Sequence, residues 1–137
     1  MRVTAEVKAE TRRRILKAAR DRFAKVGFEP ATTREIAAAA GIAVGTLFNY
    51  FPSKEAIVMA MAAEALDKAR RRFEAGPRGE SLEEDLFALI AEELRGLRPM
   101  RGCLRPALET ALSPMARAEA SPDGEAIRVG HLDLNQA

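Results

Sequence analysis

The stretch Val44-Gly45-Thr46-Leu47-Phe48-Asn49-Tyr50 crowds hydroxyl, amide and small side chains onto one short, helix-compatible run. Thr46 and Tyr50 carry hydroxyls that can donate to phosphate oxygens. Asn49 can hold an adenine edge through a bidentate amide contact, or bind phosphate. Val44 can touch a thymine methyl, and Gly45 lets backbone approach closely. Phe48 shares this face. Upstream, Thr33 and Arg34 fall in the first turn of another expected helix, where free N–H groups and the positive dipole end suit a phosphate. Lys54, at the start of a later helix, can add a further contact to a nucleic-acid backbone. Most such groups position a protein on a duplex, and few specify sequence.

Other chemistry has little support. The single cysteine, Cys103, cannot form an intrachain disulfide or supply a thiolate zinc site, and the single histidine, His131, cannot make a His-rich centre. As a nucleophile and base they lack a third, orienting group and fall on what read as different helices. Cys103 reads as a small buried apolar residue. No paired carboxylates stand out, so neither an enzyme nor a metal or other cofactor is expected. The longest apolar run, Ala56 to Ala63, is far short of the roughly 20 residues that span a bilayer. The N-terminus lacks the apolar core of a signal peptide. A cytoplasmic protein with no membrane partner is expected.

The charges are unevenly placed. The chain of 137 residues has a formal net charge of +2, yet residues 1–56 hold 11 basic and 6 acidic side chains, and residues 57–137 hold 11 and 14. A polyanionic partner is therefore expected for the first part only.

The elements that must carry these groups are helices, since alanine is abundant and β-branched residues are few. Ile15, Ala18, Ala19, Phe23 and Val26 form an apolar stripe on a first helix from about Thr4 to Val26, with Gly27 placed as a left-handed cap. Arg12, Arg13 and Arg14 lie largely off that stripe. Thr32-Thr33-Arg34-Glu35 is a capping box that starts a second helix, and Gly41 ends it. A third helix fits Val44 to Tyr50. Pro52 breaks it, and Ser53 begins a long fourth helix to about Phe73. Two short helices about a tight glycine turn, with Ala37 and Gly41 small at their crossing, describe a helix-turn-helix. Ile36, Ile42, Leu47 and Phe51 are expected to share its core with Phe23, leaving Val44, Gly45, Thr46, Phe48, Asn49 and Tyr50 free.

Beyond the break at Gly76-Pro77-Arg78-Gly79, Ser81-Leu82-Glu83-Glu84 is a second capping box. It opens a helix bearing Leu86, Leu89, Ile90, Leu94 and Leu97, which Arg98 to Gly102 is expected to end. Leu104, Leu108 and Leu112 mark another helix, bent near Pro106 or ended by Ser113-Pro114. The stripe of Leu86, Ile90, Leu94, Leu104, Leu108, Leu112 and Met115 has two readings, the lining of a ligand cavity and ordinary core, of which core is the better residue by residue. Ile127, His131 and Leu134 form a last periodic set without a stop signal, as an incomplete polypeptide would.

Taken together, Arg14-Ile15-Leu16, Ala18-Ala19, Phe23-Ala24, Gly27-Phe28, Thr32-Thr33, Ile36-Ala37, Ala40-Gly41-Ile42, Gly45-Thr46-Leu47-Phe48, Tyr50-Phe51 and Ser53-Lys54-Glu55 resemble the tetracycline-repressor (TetR) family over roughly residues 10–62. The resemblance implies an all-α fold, with a three-helix N-terminal helix-turn-helix domain (1–52) joined by a long helix to a partial helical effector-binding and dimerisation domain (53–137). It implies a homodimeric transcription regulator, usually a repressor, that binds palindromic operator DNA and is released by a small-molecule effector. By matching position, Thr33 and Arg34 would meet the DNA. Val44, Gly45, Thr46, Phe48, Asn49 and Tyr50 would lie in or beside the major groove, and Lys54 would hold the backbone. The family commonly has Tyr where this chain has Phe48, and often Ser where it has Ala43. The chain is also shorter than family members and is expected to lack their last two helices, the usual dimer interface. The alternative is a helical small-molecule-binding or adaptor protein whose helix-turn-helix does not bind DNA.

Overall fold

The structure, a computed structural model, describes residues 4–113. Among these residues the elements are α1 (Ala5–Val26), α2 (Thr33–Ala40), α3 (Val44–Tyr50), α4 (Lys54–Ala75), α5 (Leu82–Leu97), a single 3-10 turn (Arg98–Met100) and α6 (Arg101–Leu112), with no strand. Met115 and the set Ile127, His131 and Leu134 lie outside the described residues.

The starts of α1, α2, α4 and α5 follow the sequence closely because each is fixed by a side-chain cap. The Thr4 hydroxyl accepts from the Val7 N–H at 3.2 Å. Thr32 accepts from the Glu35 N–H at 3.2 Å, and the Glu35 carboxylate accepts from the Thr32 N–H at 3.0 Å, a complete capping box. Ser53 caps α4 through the Ala56 N–H. The second expected capping box is only half formed: Ser81 accepts from the Glu84 N–H, but the Glu84 carboxylate takes the Glu80 N–H instead.

Helix ends are set by backbone geometry. Gly41 has φ 71° and ψ 32°, a left-handed conformation that a Cβ would disfavour. Its N–H reaches the Ala38 carbonyl at 3.1 Å, and the Ile42 N–H reaches that of Ala37 at 3.0 Å, the paired bonds that close a helix tightly. Gly27 caps α1 with φ 89° but an extended ψ of 170°, which differs from the left-handed cap expected there. The chain then makes a turn over Phe28, Glu29 and Pro30 before α2.

One apolar cluster joins α1 to α4 and continues into α6. Ile15, Leu16, Phe23, Ile36, Leu47 and Phe51 pack with Ile57, Val58 and Met61, and the cluster extends to Met100, Cys103 and Ala107. Leu16 belongs to the core although the expected stripe omitted it. This buried cluster crosses the expected domain boundary at residue 52 without a break.

The second half departs from expectation in two ways. α5 ends at Leu97, as expected, but no loop follows: Pro99 sits in a 3-10 turn that leads straight into α6. α6 contains Pro106 and ends at Leu112. The leucine stripe is also not core. Leu86 is 54% exposed, Leu94 64% and Leu112 79%, and α5 buries no side chain fully. α5 is held to α4 where Gly96 crosses it; a Cβ there would lie 3.1 Å from the Ala65 carbonyl oxygen. The Arg72–Glu92 ion pair at 3.0 Å fastens the same crossing. Only Leu97 and Leu104 of the expected stripe and its neighbours reach the cluster. Leu86, Ile90, Leu94, Leu108 and Leu112 stay exposed, because an amphipathic period marks a stripe but not what it will face.

Candidate nucleic-acid interface

α2 and α3 meet at the Gly41 turn and are propped from behind by α1. The Arg14 guanidinium crosses from α1 and donates to the Ala40 carbonyl, the last of α2. A cation placed on a helix C-terminus satisfies an orphan acceptor and complements the dipole. The opposite end of α2 is tied to α1 by Arg22, whose guanidinium donates to Glu35 at 2.7 Å. That hydrogen bond, with the Thr32 N–H next in weight, holds the Glu35 carboxyl below the ordinary glutamate range.

α3 stands on this support through one fully buried side chain. Leu47 is completely buried. Gly45, Thr46, Phe48 and Asn49 are exposed, while Val44 and Tyr50 are half-buried against the cluster at the edges of the ridge. Ala43 gives α3 no side-chain cap. At the start of α2, Arg34 is exposed and Thr33 half-buried, and neither side chain has a hydrogen-bond partner among the described residues. The residues expected to face a duplex therefore fall into an open ridge and the neighbouring start of α2.

Lys54 has a different employment from the one expected. Its ammonium donates to the carbonyls of Phe28 at 2.7 Å, Ala31 at 3.0 Å and Glu29 at 3.2 Å, and lies 4.3 Å from the centre of the Phe28 ring. An ammonium has three protons. The structure sets them against three backbone oxygens of the α1–α2 connection. The turn over Phe28, Glu29 and Pro30 leaves those carbonyls without helical partners, so a cation from α4 satisfies them.

The run Arg12-Arg13-Arg14 also divides. Arg14 holds α2, Arg13 pairs with Glu10 on its own helix, and Arg12 lies over the Phe51 ring, its guanidinium carbon 5.0 Å from the centre. Phe51 caps the C-terminal end of α3. Arg12 thus stands beside the ridge with no ion-pair partner among the described residues. Sequence reading missed this placement; its only signal is a basic residue off the apolar stripe of α1, which many solvated positions share. No group of metal-ligating side chains occurs among the described residues, and no described helix is long and apolar enough to cross a membrane.

Three helices with this turn and this exposed ridge define a helix-turn-helix protein. A family model described as "Bacterial regulatory proteins, tetR family" matches residues 15–61. Over 63 residues the chain is 41% identical to the HTH-type transcriptional regulator UidR of Escherichia coli strain K12, covering 46% of this chain and 32% of that one. Over 131 residues it is 30% identical to the HTH-type transcriptional repressor KstR of Rhodococcus jostii strain RHA1, covering 95% of this chain and 59% of that one. A crystal structure of a TetR family transcription regulator from Marinobacter aquaeolei VT8 has the same fold, with a TM-score of 0.55 at 24% identity over 90% of this chain and 63% of that one. Residues 15–61 thus carry the likeness to the tetR family of bacterial regulatory proteins, and the chain spans about a third (32%) to three-fifths (59%) of the length of these curated relatives.

Proposed function

We propose that this chain is a ligand-responsive, DNA-binding transcription regulator, a repressor in which residues 1–52 bind operator DNA and residues 53–137 carry effector response and dimerisation. The exposed ridge of α3, standing on the buried Leu47, is the observation that carries this reading. Thr46, Phe48 and Asn49 enter the major groove, with Val44 and Tyr50 at its walls and Gly45 allowing close approach. Thr33 and Arg34 meet a phosphate at the start of α2. Arg12 meets a second phosphate beyond the far end of α3, its guanidinium aligned by the Phe51 ring. Lys54 serves DNA binding indirectly, by fixing the loop that aims α2. Two copies would set their ridges in successive major grooves about 34 Å apart, so the operator is palindromic.

The relatives' names support this reading, since UidR is called a transcriptional regulator and KstR a transcriptional repressor. Fluorescence anisotropy against duplexes from the DNA flanking the chain's own gene tests it. Tight, saturable binding to a fragment bearing an inverted repeat is expected. Equal, weak binding to every fragment would favour the adaptor reading. Asn49→Ala should change base preference in a randomised operator library, and an unchanged preference would remove Asn49 as a base reader.

A further inference from the structure

A cavity of about 400 Å³ opens where α1, α4 and the start of α6 converge. That volume falls in the range that holds small organic ligands. Its floor is apolar, built from Phe23 of α1, Met61 of α4, and Met100 and Cys103 at the turn into α6. Its rim is cationic, with Arg20, Lys68 and Arg72 set against the single acid Glu64. Arg20 is loosely answered by Glu64 at 3.8 Å, and Arg72 by Glu92 at 3.0 Å. Lys68 has no ion-pair or hydrogen-bond partner among the described residues.

We propose that this cavity binds a small amphipathic anion, its apolar body on Phe23, Met61 and Met100 and its carboxylate on Lys68. A cationic ligand would meet a like-charged rim. A bare inorganic anion would gain nothing from the apolar floor and would lose hydration against it. An ionised carboxylate joined to an apolar ring or chain satisfies both surfaces. The walls come from α1, which supports the helix-turn-helix, and from α4 and α6 outside it. A ligand here touches both at once and favours one angle between them over others. Its regulatory meaning rests on the DNA-binding reading, but the site itself does not.

Cys103 lines the cavity, is 7% exposed and is the chain's only cysteine, so its alkylation reports on this site and not on the exposed faces of α5 and α6. The assay follows iodoacetamide modification of the chain, without DNA, in the presence of naphthalene-2-carboxylate or of its neutral carboxamide. The carboxylate is expected to slow modification at concentrations where the amide does not. Lys68→Met should raise the carboxylate concentration needed by roughly tenfold, the loss of one charge-assisted contact, and leave the amide unchanged. Gly102→Leu, at a wall position where a Cβ meets nothing within 4 Å, should remove protection by both. Absence of protection by the carboxylate in the unaltered chain would overturn the proposal. So would equal protection by acid and amide that Lys68→Met leaves untouched. Because no DNA is present, either failure leaves the duplex-binding experiment to stand or fall separately.

Discussion

α2 is eight residues long and buries three side chains, whereas α5 is sixteen residues long and buries none. Alone, an eight-residue helix would be unstable in water. α2 persists because Thr32 and Glu35 close one end, Gly41 and Arg14 close the other, and Ile36, Ala37 and Ala40 fill its inner face. α5 has one cap bond, a close crossing at Gly96 and an ion pair, and it turns Leu86, Phe87 and Leu94 outward. The contrast separates two uses of an amphipathic helix. In the head, the buried apolar residues fix the angle of an exposed ridge. In α5 and α6, apolar residues remain on the surface.

The largest expected contrast lies in the apolar side chains themselves. Leu47→Ala should destabilise the chain by about 2–5 kcal/mol, since the buried Leu47 leaves a cavity beneath α3. Leu94→Ala, 64% exposed, should stay within about 0.5 kcal/mol. Urea unfolding of the two variants measures both, and comparable costs would erase the distinction drawn between the halves. Next comes Lys54→Met, which keeps the stem but removes three bonds to carbonyls. A loss of about 1–3 kcal/mol is expected, with duplex binding restored to near its original strength under conditions where the variant is folded. A variant of undiminished stability that binds DNA poorly would instead return Lys54 to the phosphate role.

Smaller effects separate the two capping sites. Thr32→Ala should cost about 1 kcal/mol, because it removes the hydroxyl that caps the Glu35 N–H while leaving the bond from the Thr32 N–H to Glu35 in place. Ser81→Ala removes the corresponding cap of α5, a helix that buries no side chain, and should cost less in the same unfolding assay. The smallest effect is on pH dependence. Glu35 is held below the ordinary carboxylate range first by its hydrogen bond from Arg22, and Glu92 first by that from Arg72. A carboxyl with a lowered folded pKa stabilises the fold above its ordinary value, about 4.3 for glutamate, and loses that contribution as pH falls through the lowered one. Glu35→Gln and Glu92→Gln should therefore each flatten the acid limb of the stability–pH curve slightly. An unchanged acid limb would mean that these exposed pairs are screened out.

The head was legible because its boundaries are written in local chemistry. Thr32 with Glu35, Gly41, and Pro52 before Ser53 are short-range signals, and α2 and α3 begin and end where those signals fall. Leu47 as the inward residue of α3 followed from spacing alone. Three things were not legible. The inward turn of Lys54 depends on carbonyls some 25 positions away in the chain, which no local pattern reveals. The stacking of Arg12 on Phe51 depends on how α1 crosses the end of α3. The exposure of Leu86, Ile90 and Leu94 depends on which face of α5 the Gly96 crossing selects. In the second half, the pattern predicted where helices lie, and tertiary packing alone decided what their apolar faces would meet.

The most direct test of the ridge as a DNA-reading surface is the salt dependence of duplex binding, measured as log K against log[salt] for the full chain and for Arg34→Ala. Each phosphate contact contributes about −0.9 to that slope. The account predicts a steep fall in affinity with salt, a slope shallower by about one contact in Arg34→Ala, and an unchanged unfolding midpoint in that variant. Affinity that is flat with salt, or a slope that Arg34→Ala leaves as it was, would contradict it.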